Sequence, residues 1–229
     1  MKILDCVQGT PEWHEARRTY YRTASSASAM MGVSQYQARA DLIRRVATGI
    51  ESEHDEATLA RFAKGHEIEA MARTMAEEII GEAMYPVTAT TDDGYLLASF
   101  DGLNMGEDVA WECKSWNADK VSRMQADGVV PIEDRWQVVQ QLAVMGPGSR
   151  VLYMVTDGTP EKCETLMVEA TGNEYATLAP YWAQFDLDVA KYQPEAPAAS
   201  PVSGTATDLL PALRNEGEGR VLATNLDQV

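Results

Sequence analysis

The sequence predicts an α/β (α+β) protein in which a mixed central β-sheet is flanked by helices and preceded by a helical N-terminal region. Up to residue 80, apolar residues recur at helical spacing between helix caps and glycines. From residue 85 onward, short strand-like segments alternate with helical ones, an order typical of a sheet covered by helices. Both patterns stop near Tyr192.

The N-terminal region is predicted to hold four helices. The first begins at Thr10-Pro11-Glu12, where a hydroxyl N-cap precedes a proline at the first helical position, and it runs to about Arg18. The other three each end at a glycine: a short helix capped by Thr23-Ala24-Ser25 and ended by Gly32, a helix over 38–48 ended by Gly49, and a long helix from about Asp55 to Ile80 ended by Gly81.

The following segments predict the sheet and the helices that cover it. Three strands form a meander whose turns are Asp92-Asp93-Gly94 and the stretch around Gly102–Gly106, and two later strands are joined by a Gly-Thr-Pro turn. The predicted strands are 85–90, 95–100, 109–114, 150–156 and 164–170, and the predicted helices are 118–126, 133–145 and about 173–191.

We expect one domain over residues 1–192 and a flexible tail over 193–229. Residues 193–207 read QPEAPAASPVSGTAT, a Pro-, Ala- and Ser-rich composition typical of linkers. Within the tail, 208–215 is compatible with one short helical turn, which Pro211 limits.

Composition excludes several classes of protein. The chain is 45% hydrophobic and 24% charged, an ordinary balance for a globular protein. No apolar run approaches the roughly 18 residues of a membrane span, and the N-terminal MKILDCVQG lacks a signal core, so we expect a cytoplasmic protein with no membrane partner. The three cysteines form no C-x-x-C pair, so neither a zinc site nor a disulfide framework is indicated.

Net charge is −16, which by itself argues against binding nucleic acid. The charge is unevenly distributed, however. Residues 1–75 hold ten basic and ten acidic residues, and the rest of the chain holds nine basic and 25 acidic ones. A DNA-binding surface is therefore expected mainly from the N-terminal third, which includes Arg17, Arg18, Arg22, Arg39, Arg44 and Arg45.

The candidate chemistry lies on two neighbouring strands. Asp101 is predicted to end one strand, while Glu112 and Lys114, two residues apart on the next, share a face of the sheet. Paired carboxylates, with the Cys113 carbonyl between, suit a hard cation such as Mg²⁺. Metal, carboxylates and lysine together can cleave a phosphodiester.

The same spacing also occurs by chance on solvated strands. Here Glu112 and Lys114 lie among apolar residues, including Val109 and Trp111, which indicates a largely buried strand. Unpaired charges are costly in such a strand, so this context favours a functional site.

Four stretches, in order, resemble the phage-lambda-type alkaline exonucleases (YqaJ-like viral recombinases) of the PD-(D/E)XK nuclease superfamily. They span about residues 8–146, and the resemblance implies a restriction-endonuclease-like core. The stretches are Gln8–Arg17 with Thr23–Ser25, Gly65–Arg73 with its Gly-x-x-x-Glu, Ser99–Leu103 with Trp111–Lys114, and Trp136–Gly146.

The resemblance implies roles for individual residues. Asp101, Glu112 and the Cys113 carbonyl would bind the catalytic metal, Glu69 would contribute to a second ion, and Lys114 would position the attacking water. The residues that match the pocket for a 5′-phosphate and the DNA are Arg17, Ser25, Gln137 and Gln140.

Two departures from the family pattern are visible. The spacing from Arg17 to Ser25 is one residue longer, and Val139 stands where the second glutamine of the helix belongs. We expect Gln140, or alternatively Gln141, to take its place.

The resemblance further implies a Mg²⁺-dependent exonuclease, with Mn²⁺ as a substitute, that digests double-stranded DNA 5′ to 3′. Its products would be mononucleotides and a 3′ overhang for a single-strand annealing protein, and the enzyme would be a homotrimeric ring. Two alternatives stay open: an endonuclease of the same superfamily, and a DNA-end or partner-binding module with a vestigial site.

Overall fold

The N-terminal helices form where their caps predict them. In the computed structural model of the protein, which describes residues 1–51 and 55–194, four helices precede the main part of the sheet: α1 (Pro11–Thr19), α2 (Ala24–Met30), α3 (Arg39–Thr48) and α4 (Glu56–Ile80). The side chain of Asp55 accepts a hydrogen bond from the backbone N–H of Thr58 at 2.8 Å and so caps α4. That helix ends at Gly81, whose φ of 82° is the left-handed conformation of a helix C-terminus.

The sheet has six strands in the order of the chain, β1 to β6. All neighbouring strands are antiparallel except β4 and β5, which are parallel. The mixed sheet predicted from the sequence is therefore confirmed. The strands are β1 (Lys2–Ile3), β2 (Tyr85–Thr90), β3 (Leu97–Leu103), β4 (Val109–Ser115), β5 (Arg150–Thr156) and β6 (Cys163–Glu169).

Three further helices complete the layers: α5 (Ala118–Asp127), α6 (Ile132–Met145) and α7 (Glu174–Ala190). Helices α5 and α6 form the crossover that the parallel pair β4 and β5 requires. A 3₁₀ turn, Pro160–Lys162, joins β5 to β6.

Two hydrophobic clusters cover the two faces of the sheet. Trp111 of β4 and Leu152 of β5 pack with Ala72 of α4. Their strand neighbours Ala110 and Tyr153 point the other way, into the larger cluster that α2, α6 and α7 complete. Strand β4 therefore lies between α4 and the α6 layer.

Strand β3 differs from its predicted span of 95–100. It begins at Leu97, because the backbone N–H of Tyr95 is taken by the side chains of Thr91 and Asp93 in the preceding turn. It also continues to Leu103. Asp101 therefore lies inside the strand and does not end it, which corrects the sequence prediction.

Gly102 is a strand residue rather than part of a turn. A Cβ at this position would lie 2.8 Å from Cβ of Met84 and 3.2 Å from the Trp111 ring. The glycine therefore permits a close approach between β3 and the side chains beside it.

The two-residue strand β1 was not predicted, and it pairs with β2 through Lys2 and Ile3. The predicted tail, with its possible turn over 208–215, lies outside the described residues from 195 onward. Within the described part of the chain, no helix is both long and apolar enough to cross a membrane.

Candidate active site

The strands β3 and β4 leave room for a site beside Asp101. Their paired residues are Gly102 with Trp111 and Leu103 with Ala110. Next to these pairs, the backbone N–H of Cys113 donates to Oδ2 of Asp101 at 2.7 Å, so a carboxylate occupies the place of a backbone acceptor. Since both backbone groups of a strand residue point to the same side, the Cys113 carbonyl faces this gap too.

Glu112 is held from three sides. Its side chain is 3% exposed, and Oε1 accepts from Lys114 Nζ at 2.5 Å and from Gln137 Nε2 at 2.7 Å. Oε2 accepts from Gln141 Nε2 at 2.5 Å. Gln137 Oε1 in turn accepts from Lys114 at 3.0 Å. Helix α6 therefore fixes both the carboxylate and the ammonium of β4.

Glu69 reaches the same pocket from α4. Its Oε1 accepts from Arg73 Nη2 at 3.1 Å, and its Oε2 lies 3.7 Å from Nδ1 of His66. These two partners are one helical turn away on the same helix, so α4 itself orients the carboxylate.

The charges of the pocket act on one another. Burial, together with the carboxylates of Glu112 and Glu69, raises the pKa of Asp101 well above its usual value. Burial opposes the charge of Lys114, but Glu112, Asp134 and Asp101 outweigh it and raise the pKa of the ammonium. The site therefore combines crowded carboxylates with a lysine that stays protonated at neutral pH.

The donor chemistry fits a hard divalent cation. Asp101, Glu112 and Glu69 are carboxylates, the ligands that Mg²⁺ prefers, and their mutual repulsion would be relieved by a bound cation. In residues 1–51 and 55–194, no three or more His, Cys, Asp or Glu side chains are already arranged as a metal-binding group.

A second part of the pocket is built on α1 and α2. Arg17 Nη2 donates to Ser25 Oγ at 2.9 Å, and its guanidinium lies 4.5 Å from the centre of the Trp13 ring. The Trp13 Nε1 donates to Ser99 Oγ at 3.0 Å. Burial, followed by the charge of Arg45, lowers the pKa of Arg17 to about 10, so Arg17 remains a cation at neutral pH.

These groups share one cavity of about 370 Å³. It brings together all but one of the site residues expected from the sequence. The expected residues that line it are Arg17, Ser25, Glu69, Asp101, Glu112, Cys113, Lys114 and Gln137.

Gln140 is the residue that the structure does not bring to the cavity. Its Nε2 donates to the backbone carbonyls of Arg22 and Leu97, and its Oε1 accepts from Trp182 Nε1. Gln141 points to Glu112 instead. At about 100° per residue, Gln141 lies about 40° from Gln137 around the helix and Gln140 about 60° on the other side. The spacing in the sequence therefore contains a signal that favours Gln141.

Sequence reasoning gave no role to Trp13 or Ser99. Ser99 accepts from Trp13 through its hydroxyl, and its backbone carbonyl is 3.5 Å from Gln141 Nε2. It therefore touches Trp13, which lies against Arg17, and Gln141, which holds Glu112. No local pattern shows this, because residues 13, 99 and 141 meet only in the folded chain.

Two solved proteins with a similar fold are exonucleases by name. One is LHK-Exo, an alkaline exonuclease from Laribacter hongkongensis, whose structure in complex with dAMP matches this chain with a TM-score of 0.61. The two sequences are 20% identical, and the match covers 79% of this chain and 95% of LHK-Exo. A phage-related exonuclease from Haemophilus somnus 129PT is 11% identical, with a TM-score of 0.52, covering 73% of this chain and 92% of that one.

No curated protein matches the chain. Residues 12–148, by contrast, match the YqaJ-like viral recombinase domain, and this range contains α1 from its second residue onward, the long helix α4, strands β2 to β4 and α6. All eight site residues that line the cavity lie inside it. The chain belongs to the YqaJ-like viral recombinase family.

Proposed function

We propose that the chain is a Mg²⁺-dependent exonuclease that digests double-stranded DNA from 5′ ends, releases mononucleotides and leaves a 3′ overhang. The observation that carries the proposal is the set of side chains that line one cavity. Asp101, Glu112 and Lys114 lie in it together with the cation Arg17. The proposed site for cleaving a phosphodiester and the proposed site for binding a phosphate would therefore share one cavity.

The metal would be held by oxygen ligands alone. Asp101, Glu112 and the Cys113 carbonyl would hold the first ion and Glu69 would contribute to a second, and Mn²⁺ suits the same ligands. When bound, Mg²⁺ supplies Lewis-acid stabilisation of the phosphate and lowers the pKa of a bound water.

The chain's own residues would position the nucleophile. Lys114 stays an ammonium and donates hydrogen bonds to Glu112 and Gln137. An ammonium fixed in this way can hold an attacking water by its lone pairs and stabilise negative charge on the phosphate. Gln137 contacts both charged groups and would keep their separation constant.

Arg17 and Ser25 would bind the 5′-phosphate of the DNA end. A guanidinium and a hydroxyl at 2.9 Å from each other both donate hydrogen bonds, which phosphate oxygens accept. LHK-Exo was solved with dAMP, a mononucleotide, and mononucleotides are the product we propose for this chain.

We also propose a ring-shaped homotrimer that acts in the cytoplasm and passes its 3′ overhang to a single-strand annealing protein. A ring would reconcile DNA binding with a net charge of −16, because only the lumen has to be basic. The neutral N-terminal region, with its arginines, is the part from which a basic lumen can be built.

The test is digestion of end-labelled linear duplex and of covalently closed circular DNA in Mg²⁺. We expect linear DNA to be digested from 5′ ends and circles to survive. Lys114→Ala should lose about 100-fold or more of the rate. The matched control is Lys162→Ala, because Lys162 is an exposed lysine that pairs with Asp157.

Each alternative function has its own result in this experiment. Cleavage of the circle would identify an endonuclease, and digestion from 3′ ends would overturn the proposed polarity. DNA binding without Mg²⁺-dependent cleavage by the unmodified protein would identify a binding module.

A further inference from the structure

A second arginine lies beside the cavity residues Arg17 and Ser25. Arg45, from α3, donates from Nη2 to Ser26 Oγ at 3.2 Å. Arg17, from α1, donates to the neighbouring Ser25. Two cations from different helices therefore contact adjacent hydroxyls of α2.

Among the described residues, Glu51 supplies the negative charge that acts on these two arginines. Arg45 lies 3.5 Å from Glu51 Oε2, and the Glu51 side chain is 61% exposed, so solvent screens that pair. For Arg17, no ion pair is recorded within the described residues; its contacts there are Ser25 and the Trp13 ring. Burial and the charge of Arg45 also lower the pKa of Arg17, as expected for a cation close to a second one, while the charge of Glu51 opposes them. The surroundings favour an anion with more than one charge.

Terminal and internal phosphates of DNA differ in their number of negative charges. A terminal phosphomonoester carries about −1.5 to −2 at neutral pH, because its second pKa is about 6. An internal phosphodiester carries one charge, and a 5′-hydroxyl carries none.

We propose that Arg45 is a second cation of the 5′-end pocket and that it selects a terminal phosphomonoester over a phosphodiester or a hydroxyl. The inference rests on the proposed function, in which Arg17 binds the 5′ end. Arg45 adds the charge that distinguishes a doubly charged phosphate from a singly charged one.

Binding without cleavage tests the proposal. The probe is a fluorescent blunt duplex with either a 5′-phosphate or a 5′-hydroxyl at its free end, titrated in EDTA with anisotropy as the readout. We expect the full chain to prefer the phosphate. Arg45→Gln should reduce that preference about three- to tenfold while leaving affinity for the hydroxyl duplex unchanged.

Two further variants control for charge and folding. Arg44→Gln removes the same charge from the adjacent position of α3, where Arg44 lies 3.9 Å from Asp41, and should keep the preference of the unmodified chain. Arg45→Lys retains the cation and should keep most of the preference. Thermal melting of Arg45→Gln and Arg45→Lys separates a charge effect from loss of structure.

A pH series gives a readout that a purely structural role would not move. Between pH 7.5 and 5.5 the phosphomonoester loses its second charge, so the preference of the unmodified chain should decline with falling pH. In Arg45→Gln this decline should be flatter.

The outcomes separate the inference from the proposed function. If the unmodified chain binds both ends equally, the 5′-end pocket itself is wrong. If it prefers the phosphate and Arg17→Gln abolishes the preference, but Arg45→Gln matches the unmodified chain in ratio and pH dependence, only the role of Arg45 is overturned.

Discussion

Gln141 donates a hydrogen bond from Nε2 to Glu112 Oε2 at 2.5 Å, and both residues are buried. Within the described residues, Gln141 Oε1 has no hydrogen-bond partner, although it is buried. A buried polar group left unpaired costs free energy, so the side chain is retained at some expense to stability. Its donation to a carboxylate of the proposed metal site offers a reason.

Gln141→Met is expected to reduce activity more than stability, because it leaves Glu112 Oε2 without this donor but also removes the unpaired Oε1 of Gln141. The variant removes a charge-assisted hydrogen bond of about 1.5–3 kcal/mol, so kcat/KM should fall about ten- to 100-fold and more Mg²⁺ should be needed for half-maximal activity. Steady-state digestion over a Mg²⁺ series measures both. Gln125→Met, at an exposed Gln125–Glu164 contact, is the matched control, and equal activity of the two variants would refute the role.

Gln140→Met is expected to reduce stability more than activity. Its side chain joins Trp182 of α7 to the backbone of Arg22 and Leu97. Leaving these buried groups unpaired should lower the free energy of unfolding by about 3 kcal/mol. Urea unfolding measures the loss, and digestion well below the melting temperature should proceed at nearly the normal rate. Lost activity with unchanged stability would place Gln140 in the site after all.

Asp93 gives the protein a specific response to acid. Hydrogen bonds from Thr91, from Tyr175 and from the Tyr95 backbone lower the pKa of Asp93 from 3.8 to about 2. Because the folded-state pKa is the lower one, this stabilisation is present above pH 3.8 and is lost as the pH falls through about 2.

The measurement is the free energy of urea unfolding of the unmodified chain and of Asp93→Asn between pH 7 and pH 2. The unmodified chain should be more stable at neutral pH, and the difference should shrink below about pH 4. Tyr175→Phe, which removes one 2.7 Å hydrogen bond to Asp93, should show a smaller effect of the same form. A difference that stays constant down to pH 2 would contradict the assignment.

Gly102→Ala is expected to destabilise the fold by about 1–3 kcal/mol, because the added methyl group meets Cβ of Met84 at 2.8 Å. Thermal or urea unfolding measures the change. Gly65→Ala is the matched control for stability, since a Cβ at Gly65 of α4 has no neighbour within 4 Å and alanine favours a helix. If both variants are equally stable, the close approach at Gly102 does not constrain the fold.

The features that the sequence predicts well are local ones. Caps such as Thr10 and Asp55, and glycines such as Gly81, predict helix ends because their own backbone or side-chain groups complete the last turn. The alternation in β4 likewise places Glu112 and Lys114 on one face, and the structure joins them at 2.5 Å.

The features that it predicts poorly depend on distant contacts. In the sequence Gly102 resembles a turn glycine, and its close contact with Met84 exists only in the folded chain. The choice between Gln140 and Gln141 depends on whether the partner is Trp182 or Glu112. Strand β1 is too short for any periodicity and exists through its pairing with β2.

Ser99 accepts from Trp13, which lies beneath Arg17, and its carbonyl lies near Gln141, which holds Glu112. One residue of β3 thus connects the proposed phosphate pocket to the proposed cleavage site. In an exonuclease of the proposed type, the distance between these two sites would determine how many nucleotides are removed at each cut. That number would then depend on the fold and not on the DNA sequence.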